Sequence, residues 1–323
     1  MKRFTVFSLI LAGALVLFGA GLFAGAMTVG GWDFSILSSA EFITNTYEIT
    51  EPFADISIQS DTADISFVKT TDANARVECA DYSYLEYTAE VRNGTLYIEC
   101  KDVRQWYDYI HFSIFTQSNT VTVYLPESAY GTLNIKESTG DIKVPADFSF
   151  DSMDLYLSTG DVSVQASRIG ICKINTDTGD ISVQNTRVDS LTLHATTGDI
   201  AIGDVACAGD IGMRVTTGRT VMKNVTCRSL TSDGTTGDIK LKNVIASGAF
   251  DIERSSGDVT FDQSDAASIK IQTDTGDVTG SLLSDKVFIY RTDTGDVDLP
   301  DTTTGGKCDI STDTGDIEIR IYS

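Results

Sequence analysis

Asn175-Thr176-Asp177-Thr178-Gly179-Asp180-Ile181 is the clearest copy of a short stretch that returns along most of this chain. Ten copies are present, and each glycine follows the previous one after 19 or 20 residues. A period this constant indicates a repeat architecture, in which each unit buries its apolar residues only by stacking on its neighbours. Each copy is numbered here from its glycine as position zero, which gives the series Gly140, Gly160, Gly179, Gly198, Gly218, Gly237, Gly257, Gly276, Gly295 and Gly315.

Apolar residues occupy four positions of the repeat and form two short runs with a period of two. Position −7 is apolar in all ten copies, and positions −5, +2 and +4 are each apolar in nine, the exceptions being Ser232, Thr220 and Gly280. Alternation of this kind predicts half-buried strands rather than helices. An odd number of residues separates −5 from +2, so the Thr-Gly-Asp between the runs must form a corner that keeps both runs facing inward. Glycine permits positive φ there, and Asp can bond the local backbone.

The repeat therefore predicts an all-β protein, a single-stranded parallel β-solenoid with about 19–20 residues per coil. Its lumen would be filled by Ile, Val, Leu and Phe. About ten regular coils are expected over residues 131–323, and at roughly 4.8 Å per coil they would extend about 48 Å. The crossover rule favours right-handed winding.

The N-terminal segment carries a different pattern. Lys2 and Arg3 precede an uncharged run, Phe4–Gly30, that is long enough to span a bilayer. A basic start places the N-terminus in the cytoplasm. We therefore predict a transmembrane signal anchor over 1–31, a linker over 32–45, and a single-pass protein of the cell membrane whose solenoid is extracellular.

Two features of this segment leave alternatives open. Ala24-Gly25-Ala26 matches a signal-peptidase site, so the segment could be a cleaved signal peptide. Gly21 and Gly25 form a GxxxG motif that could pack against a partner helix, although small residues are common in membrane segments.

Residues 46–130 depart from the regular repeat and are predicted to form an irregular β cap. Ile56 to Phe67 fit the repeat as a degenerate coil with Ala63 at the glycine position. Asn93-Gly94 predicts a two-residue hairpin turn. The aromatic residues Trp106, Tyr107 and Tyr109 form a loop outside the repeat. Because aromatic residues are enriched at interface hot spots, this loop is a possible contact site; alternatively, it plugs the end of the lumen.

Acidic residues form a column along the predicted corner. Position +1 is Asp in nine copies and Arg219 in one, and four copies add a second Asp at −2. Carboxylates stacked at coil spacing would repel by about 1 kcal/mol per pair in water. Backbone N–H groups of the corner could stabilise them, which is the preferred interpretation. Calcium ions could do the same, although the glycine-rich nonapeptide of calcium-binding β-rolls is absent; the calcium candidates are Asp177, Asp180, Asp274, Asp277, Asp293, Asp296, Asp313 and Asp316.

Several classes of function are disfavoured by composition and spacing. The net charge of −22 leaves no basic stripe for nucleic acid. The six cysteines include no CxxC pair, so zinc and thioredoxin-type chemistry lack support. His111 and His194 are isolated, and no catalytic constellation can be assembled by spacing. We therefore expect neither an enzyme nor a cofactor.

Two of the cysteines are expected to be neighbours in space. Cys207 and Cys227 both occupy position +9 on successive coils and should stack. An exported chain permits a disulfide, but parallel side chains suit one poorly.

The Ser/Thr-Gly-Asp-Ile/Val coils, the lead-in Val121–Pro126, the Asn93-Gly94 turn and the basic start together resemble the bacterial "putative adhesin" family, a domain of unknown function common in Gram-positive bacteria. The resemblance covers about 45–323. It implies a solenoid on the outer face of the cell membrane that acts as an adhesin-like scaffold for a surface polymer. The alternative it implies is an envelope-stress sensor or regulator that acts through a membrane protein partner. Arg219-Thr220, the cysteine count and the lack of a wall-sorting signal depart from the pattern, and the last disfavours a cell-wall-linked adhesin.

Overall fold

The computed structural model describes residues 2–29, 42–82, 85–103 and 118–322. Trp106, Tyr107 and Tyr109 lie outside the described residues, so the predicted contact loop stays a prediction. The chain divides into two compact units. One comprises residues 1–43, 81–85 and 102–117, and the other comprises 44–80, 86–101 and 118–323.

The first unit contains a single described helix, α1 (Lys2–Val29). Large apolar side chains along it are exposed, among them Leu17 and Phe18. Elsewhere in this unit the rings of Phe42 and Tyr82 meet edge to face, with centroids 5.3 Å apart. Within the described residues, no helix is both long and apolar enough to cross a membrane.

The rest of the described chain is built from strands. The strands that precede the regular array are β1 (Phe42–Ile49), β2 (Asp55–Gln59), β3 (Asp64–Thr70), β4 (Ala75–Tyr82), β5 (Leu85–Arg92), β6 (Thr95–Asp102) and β7 (Thr120–Pro126). The regular array contains β8 (Ala129–Thr139), β9 (Ile142–Val144), β10 (Ser149–Thr159), β11 (Val162–Val164), β12 (Arg168–Thr178), β13 (Ile181–Gln184), β14 (Arg187–Thr197), β15 (Ile200–Cys207), β16 (Ile211–Thr217), β17 (Thr220–Cys227), β18 (Leu230–Thr236), β19 (Ile239–Ser256), β20 (Val259–Thr275), β21 (Val278–Leu282), β22 (Lys286–Thr294), β23 (Val297–Asp298), β24 (Gly306–Thr314) and β25 (Ile317–Ile321).

These strands form the predicted parallel β-solenoid of about ten turns. Each coil is named below by its corner glycine. Equivalent residues pair in register from coil to coil, as Ile174 does with Leu155 on one side and Leu193 on the other. The second run of each coil pairs in the same way, so that Ile181 lies between Val162 and Ile200. The period-two interpretation of the repeat is confirmed.

The predicted lumen positions are buried in nearly every regular coil. Leu193, Ile252 and Ile317, for example, are at most 1% exposed. The Gly295 coil is the exception, because Tyr290 at −5 is 55% exposed and Val297 at +2 is 37% exposed. The expectation that the apolar residues of the repeat all face the interior is therefore wrong for this coil, and its position in the stack gives the reason.

The coils do not stack in chain order at the C-terminal end. β20 pairs with β24, and β24 pairs in turn with β22. β21 likewise pairs with β25, which pairs with β23. The Gly315 coil thus lies between the Gly276 coil and the Gly295 coil, and the Gly295 coil is outermost. Its lumen residues have no further coil to cover them.

The same inversion occurs at the other end. The predicted degenerate coil, formed by β2 and β3, stacks directly on the Gly140 coil, with Ile56 opposite Leu133 and Ile65 opposite Ile142. β6 and β7 pair with its opposite edge, although they follow it in sequence. β4 then pairs with β7 in antiparallel orientation. The predicted hairpin turn joins β5 to β6, with positive φ at both Asn93 and Gly94.

A second corner, at position +6, was not anticipated from the sequence. Its residues adopt the left-handed conformation with φ of 52–55°, which Asn and Asp tolerate better than most residues. Their side chains also bond along the stack, since Asn243 donates to Asn224 and Asn224 donates to Asp204. A column of Asn, Asp or Gln at +6 was the signal in the sequence; its members are Asn185, Asp204, Asn224, Asn243 and Gln263.

The two stacked cysteines belong to a column whose side chains shrink along the stack. Val188 pairs with Cys207, Cys227 pairs with Ala246, and the register between them brings the two cysteines opposite each other. Cys207 and Cys227 are both buried free thiols. Their size, between valine and alanine, fits this taper, whose members in order are Tyr130, Phe150, Ile169, Val188, Cys207, Cys227, Ala246 and Ala266.

Two of the exceptions in the repeat have a structural reason. Arg254, at −3 of the Gly257 coil, points into the lumen and is 3% exposed. Its guanidinium donates to the Ser232 hydroxyl at 2.8 Å and to the Ser232 carbonyl at 3.1 Å, so a polar residue is required at that −5 position. At Gly280, a Cβ would lie 1.9 Å from the Phe261 carbonyl oxygen. Nothing in the structure explains Thr220, whose buried hydroxyl has no hydrogen-bond partner.

Candidate functional site

The +1 column forms a hydrogen-bonded ladder along the corner that has one break, between Arg219 and Asp238. In each step the backbone N–H of a +1 residue donates to Oδ1 of the Asp in an adjacent coil, as Asp180 does to Asp161 at 2.8 Å. The distances along the ladder are 2.7–3.0 Å. Charge-assisted bonds of this kind offset the repulsion between stacked carboxylates. The ladder starts at Asp64 of the degenerate coil, which supports the match of that coil to the repeat.

The corner glycines are required by the close approach of successive coils. At Gly179, φ is +137° and a Cβ would lie 1.9 Å from the Gly160 carbonyl oxygen. No side chain fits at that distance, so backbone stacks directly on backbone. The exposed side chains at −2, −1 and +1 are therefore held on a rigid support; this exposed strip is called the corner row below.

Arg219 replaces Asp at +1 and ends the first part of the ladder, which begins at Asp64. Its backbone N–H donates to Asp199 Oδ1 at 2.7 Å, and its guanidinium reaches Asp199 Oδ2 at 2.9 Å. Because Arg has no carboxylate, Asp238 of the next coil has no equivalent acceptor. The ladder resumes where Asp258 donates to Asp238.

Of the four calcium candidates at −2, Asp177 lies on the Gly179 coil, whereas Asp274, Asp313 and Asp293 lie on three adjacent coils at the C-terminal end of the array. Asp177 accepts a hydrogen bond from the Tyr156 hydroxyl at 3.0 Å, and Asp293 pairs with Arg291 at 3.1 Å. In the part of the chain that the structure describes, no group of three or more His, Cys, Asp or Glu side chains could hold a metal ion. The geometry supports the corner role, and calcium binding stays a hypothesis.

A shallow groove of about 450 Å³ lies on the outer surface beside the corner row. Its lining includes Gly234 and the ion pair of Arg214 with Asp233, whose charged atoms are 3.7 Å apart. Glu253 and Ser255 complete one wall. The groove combines hydroxyl, carboxylate and guanidinium groups, which suits hydrogen bonding to a polar ligand better than burial of an apolar one.

A second groove, of about 440 Å³, lies near the small end of the taper. Lys286 is 2% exposed and its ammonium contacts Asp265 Oδ1 at 2.6 Å and Ser284 Oγ at 2.6 Å. Ala266 and Gly306 also line this groove. The buried ion pair is satisfied within the protein, which makes it a structural contact of the last coils.

Glu137 is a buried carboxyl group between the degenerate coil and the first regular coil. It is 1% exposed, and its Oε1 accepts the backbone N–H of Ala63 at 3.2 Å while Oε2 has no hydrogen-bond partner. Burial raises the pKa of Glu137 from 4.5 to about 7, and the hydrogen bond from Ala63 partly opposes this shift.

Comparisons with known proteins find one matching family model and several similar solved structures. The family model Toastrack DUF4097 matches residues 53–218 and 206–323. No curated protein matches. Among solved structures, a "putative lipid binding protein" from Parabacteroides distasonis is 16% identical, with 73% of this chain and 96% of that chain covered and a TM-score of 0.47. A "putative adhesin" from the same organism is 13% identical, with 87% and 98% covered and a TM-score of 0.43. Another from Bacteroides fragilis is 14% identical, with 88% and 98% covered and a TM-score of 0.33.

Proposed function

Because this chain belongs to the Toastrack DUF4097 family and folds as a regular β-solenoid, we propose that it is a non-enzymatic binding scaffold at the cell surface. The corner row is the surface we assign to binding. Its hydroxyl and carboxylate groups repeat with the coils, so a polymer with a repeating polar unit can make the same contact many times. Each contact is weak, but linked contacts raise the apparent affinity strongly.

The single observation that carries this proposal is the backbone-on-backbone stacking at the corner. A Cβ at Gly198 would lie 2.0 Å from the Gly179 carbonyl oxygen, so the corner tolerates almost no deviation. A surface that is fixed in this way binds with little loss of conformational entropy. The net charge of −22 favours a neutral or cationic partner over an anionic polymer.

The proposal includes membrane anchoring through the uncharged run Phe4–Gly30. Its support is the basic pair Lys2 and Arg3 ahead of that run, together with exposed apolar side chains such as Leu17 and Phe18. This arrangement would place the N-terminus in the cytoplasm and the solenoid outside. Protease treatment of intact protoplasts tests it, because an external solenoid is degraded whereas a cytoplasmic one is protected.

The scaffold is tested in a deletion strain complemented with variants of the full chain. Asn in place of Asp keeps an oxygen that can accept the ladder hydrogen bond but removes the charge. The variant Asp161→Asn/Asp180→Asn/Asp277→Asn should therefore fold normally and yet lose surface attachment if the corner row binds. The matched control, Asp154→Asn/Asp251→Asn/Asp309→Asn, removes three outward charges away from the corner. Attachment equal to wild type in the corner variant, at equal surface amount, contradicts the assignment.

A regulator of envelope stress that acts through a membrane partner is the second candidate. One observation favours it: Gly21 and Gly25 lie one turn apart on α1, and a Cβ at either would meet nothing within 4 Å. A partner helix could therefore approach closely at this place. Altered stress transcription with normal attachment in a Gly21→Leu/Gly25→Leu strain supports the regulator, and a Trp106→Ala/Tyr107→Ala strain tests the aromatic loop in both assays.

A further inference from the structure

The outermost coil of the array presents an unpaired strand edge. β22 pairs along its length with β24, and β23 pairs with β25. Among the described strands neither has a partner on its other side. The outward N–H and C=O groups of this edge are therefore a template for one more strand.

The lumen also opens at this coil. Phe288 is half-buried, Tyr290 is 55% exposed and Val297 is 37% exposed, whereas the equivalent Ile310 and Ile317 of the adjacent coil are covered. Val287 and Ile289 add exposed apolar surface on the outer side of β22, at 40% and 50%. An apolar patch beside an open strand edge marks an interaction site rather than an ordinary surface.

The opposite end of the stack differs in this respect. There the outer strand β7 is paired with β4 in antiparallel orientation. Its lumen residues Val121 and Val123 are 0% exposed, as are Leu96 and Ile98 of β6. The open edge is thus not a general property of these coils.

The charges around the outermost coil indicate which kind of partner would bind there. Asp296 donates its N–H to Asp316, but no N–H of the described residues donates to the Asp296 carboxylate, the last acceptor of the ladder. Asp298 and Asp301 are exposed and have no ion pair among the described residues. The nearby cations Arg291, Lys307 and Arg320 are already paired, with Asp293, Asp309 and Glu318 respectively. The end therefore combines an apolar floor with an acidic rim.

We propose that this end binds an extended, basic segment of another protein, which adds to β22 as a further strand. Alternate apolar side chains of that segment would cover Phe288, Tyr290 and Val297, and its Lys or Arg side chains would face Asp296 and Asp298. This is strand addition, in which backbone bonds give affinity and alternate side chains give specificity. A second copy of the chain fits less well, because it would bring the same unpaired carboxylates to the contact. The inference concerns a different surface from the corner row and does not depend on the proposed function.

The test is binding of a labelled peptide in which Val and Lys alternate, measured by fluorescence anisotropy on the purified full chain. We expect saturable binding that weakens with salt. A peptide alternating Val and Glu should not bind, and a peptide of the same Val and Lys content in blocks should bind at least about tenfold more weakly. Equal binding of the alternating and block peptides would show attraction of charge alone and would overturn the proposal, as would absence of binding.

Variants locate the site. Tyr290→Asp places a charge on the exposed floor and should weaken binding by about tenfold or more. The matched control is Ile171→Asp, at an exposed apolar position of an internal coil, and it should leave binding unchanged. Both positions are exposed, so both variants should melt like wild type. Equal affinity of the Tyr290→Asp variant overturns the site, and a concentration-dependent dimer that Tyr290→Asp abolishes would assign the end to a second copy instead.

Discussion

The backbone N–H of Asp316 donates to Oδ1 of Asp277 at 2.8 Å, across 39 residues of sequence. The other steps of the corner ladder in the regular array join coils that follow each other in the chain, and in the step between Asp296 and Asp316 alone the earlier residue donates to the later one. Together these two bonds place the Gly315 coil inside the stack. The open end described above is a consequence of this arrangement.

The inverted order is possible because the coils concerned are nearly identical at the corner. Thr-Asp-Thr-Gly-Asp occurs at 273–277, 292–296 and 312–316. Either of the last two coils could therefore make the same ladder bond and the same glycine contact with the Gly276 coil. What differs is the remainder of each coil: the Gly315 coil supplies Ile310, Ile317 and Ile319, all buried, and it occupies the covered position.

Because successive coils approach so closely at the corner, a single added methyl group should lower the stability of the solenoid. Gly179→Ala places a Cβ in a left-handed conformation and against the Gly160 carbonyl oxygen. We expect it to destabilise the solenoid by more than about 2 kcal/mol. The measurement is the urea midpoint of the full chain followed by circular dichroism.

Gly212→Ala is the matched control for that variant. Gly212 lies in β16, away from the corner, and a Cβ there meets nothing within 4 Å. Its midpoint should remain within about 0.5 kcal/mol of wild type, since surface substitutions away from special features have small effects. Similar losses in the two variants would contradict direct backbone stacking at the corner.

The hydrogen bonds between Arg254 and Ser232 predict that substitutions of these two residues have non-additive effects on the free energy of unfolding. Ser232→Ala removes the hydroxyl that accepts from a buried guanidinium and should cost about 1–3 kcal/mol. Arg254→Met removes the charge and keeps much of the volume, and replacement of buried charges by apolar residues is often neutral or stabilising.

The two residues should therefore be coupled. In a double-mutant cycle, Ser232→Ala should cost less in the Arg254→Met background than alone, by at least about 1 kcal/mol. Chemical denaturation of the four proteins measures this coupling. Additive effects would mean that the hydrogen bonds to Ser232 contribute nothing to stability.

The raised pKa of Glu137 predicts that the free energy of unfolding falls as pH rises. Its folded pKa, about 7, lies above its ordinary value of 4.5, so the folded state holds a proton that the unfolded state releases between those values. Stability is then unaffected below about pH 4.5 and decreases through pH 5 to 8. Glu137→Gln removes this titration and should be more stable than wild type at pH 8, relative to pH 5.

The comparison of melting temperatures between the two proteins isolates Glu137. Burial also raises the pKa of Asp81, to about 6, which gives a pH effect of the same sign. Asp81 is present in both proteins, so its contribution cancels in the difference. A pH-independent difference between wild type and Glu137→Gln would show that Glu137 does not titrate in this range.

The sequence was sufficient for the parts of the fold that repeat. Alternation at −7, −5, +2 and +4 predicted the strands and their inward faces, and Thr-Gly-Asp predicted the corner. The requirement for Ser232 could not be predicted, because it depends on Arg254 entering the lumen from the next coil. The column of Asn, Asp or Gln at +6 is present in the sequence, but it contains no apolar residue and so adds nothing to the alternation that predicts the strands.

The order in which the coils stack and the chemistry of the corner row are harder to predict from the sequence. The apolar pattern within a coil determines which of its faces stack on other coils. It does not determine which coil is the neighbour, because the corners of the last three coils have the same sequence. The unpaired edge at β22 follows only from that order. For the corner row, the sequence left backbone bonding and calcium as alternatives, and the N–H to Oδ1 distances support the first.

The most direct test of the architecture is crosslinking of engineered cysteine pairs. Gln272 lies opposite Ser311, which in turn lies opposite Arg291, all on outward positions. A thiol reagent that spans one strand spacing, about 5 Å, does not span two, about 10 Å. Arg291→Cys/Ser311→Cys is the positive control, because those residues are adjacent in either order.

We predict that Gln272→Cys/Ser311→Cys forms an intramolecular crosslink, detected by peptide mass, as readily as the positive control. Gln272→Cys/Arg291→Cys should remain unlinked, because the Gly315 coil separates its two positions. The reverse result, with Gln272 linked to Arg291 and not to Ser311, would show that the coils stack in chain order and would contradict the inserted coil and the open end that it creates.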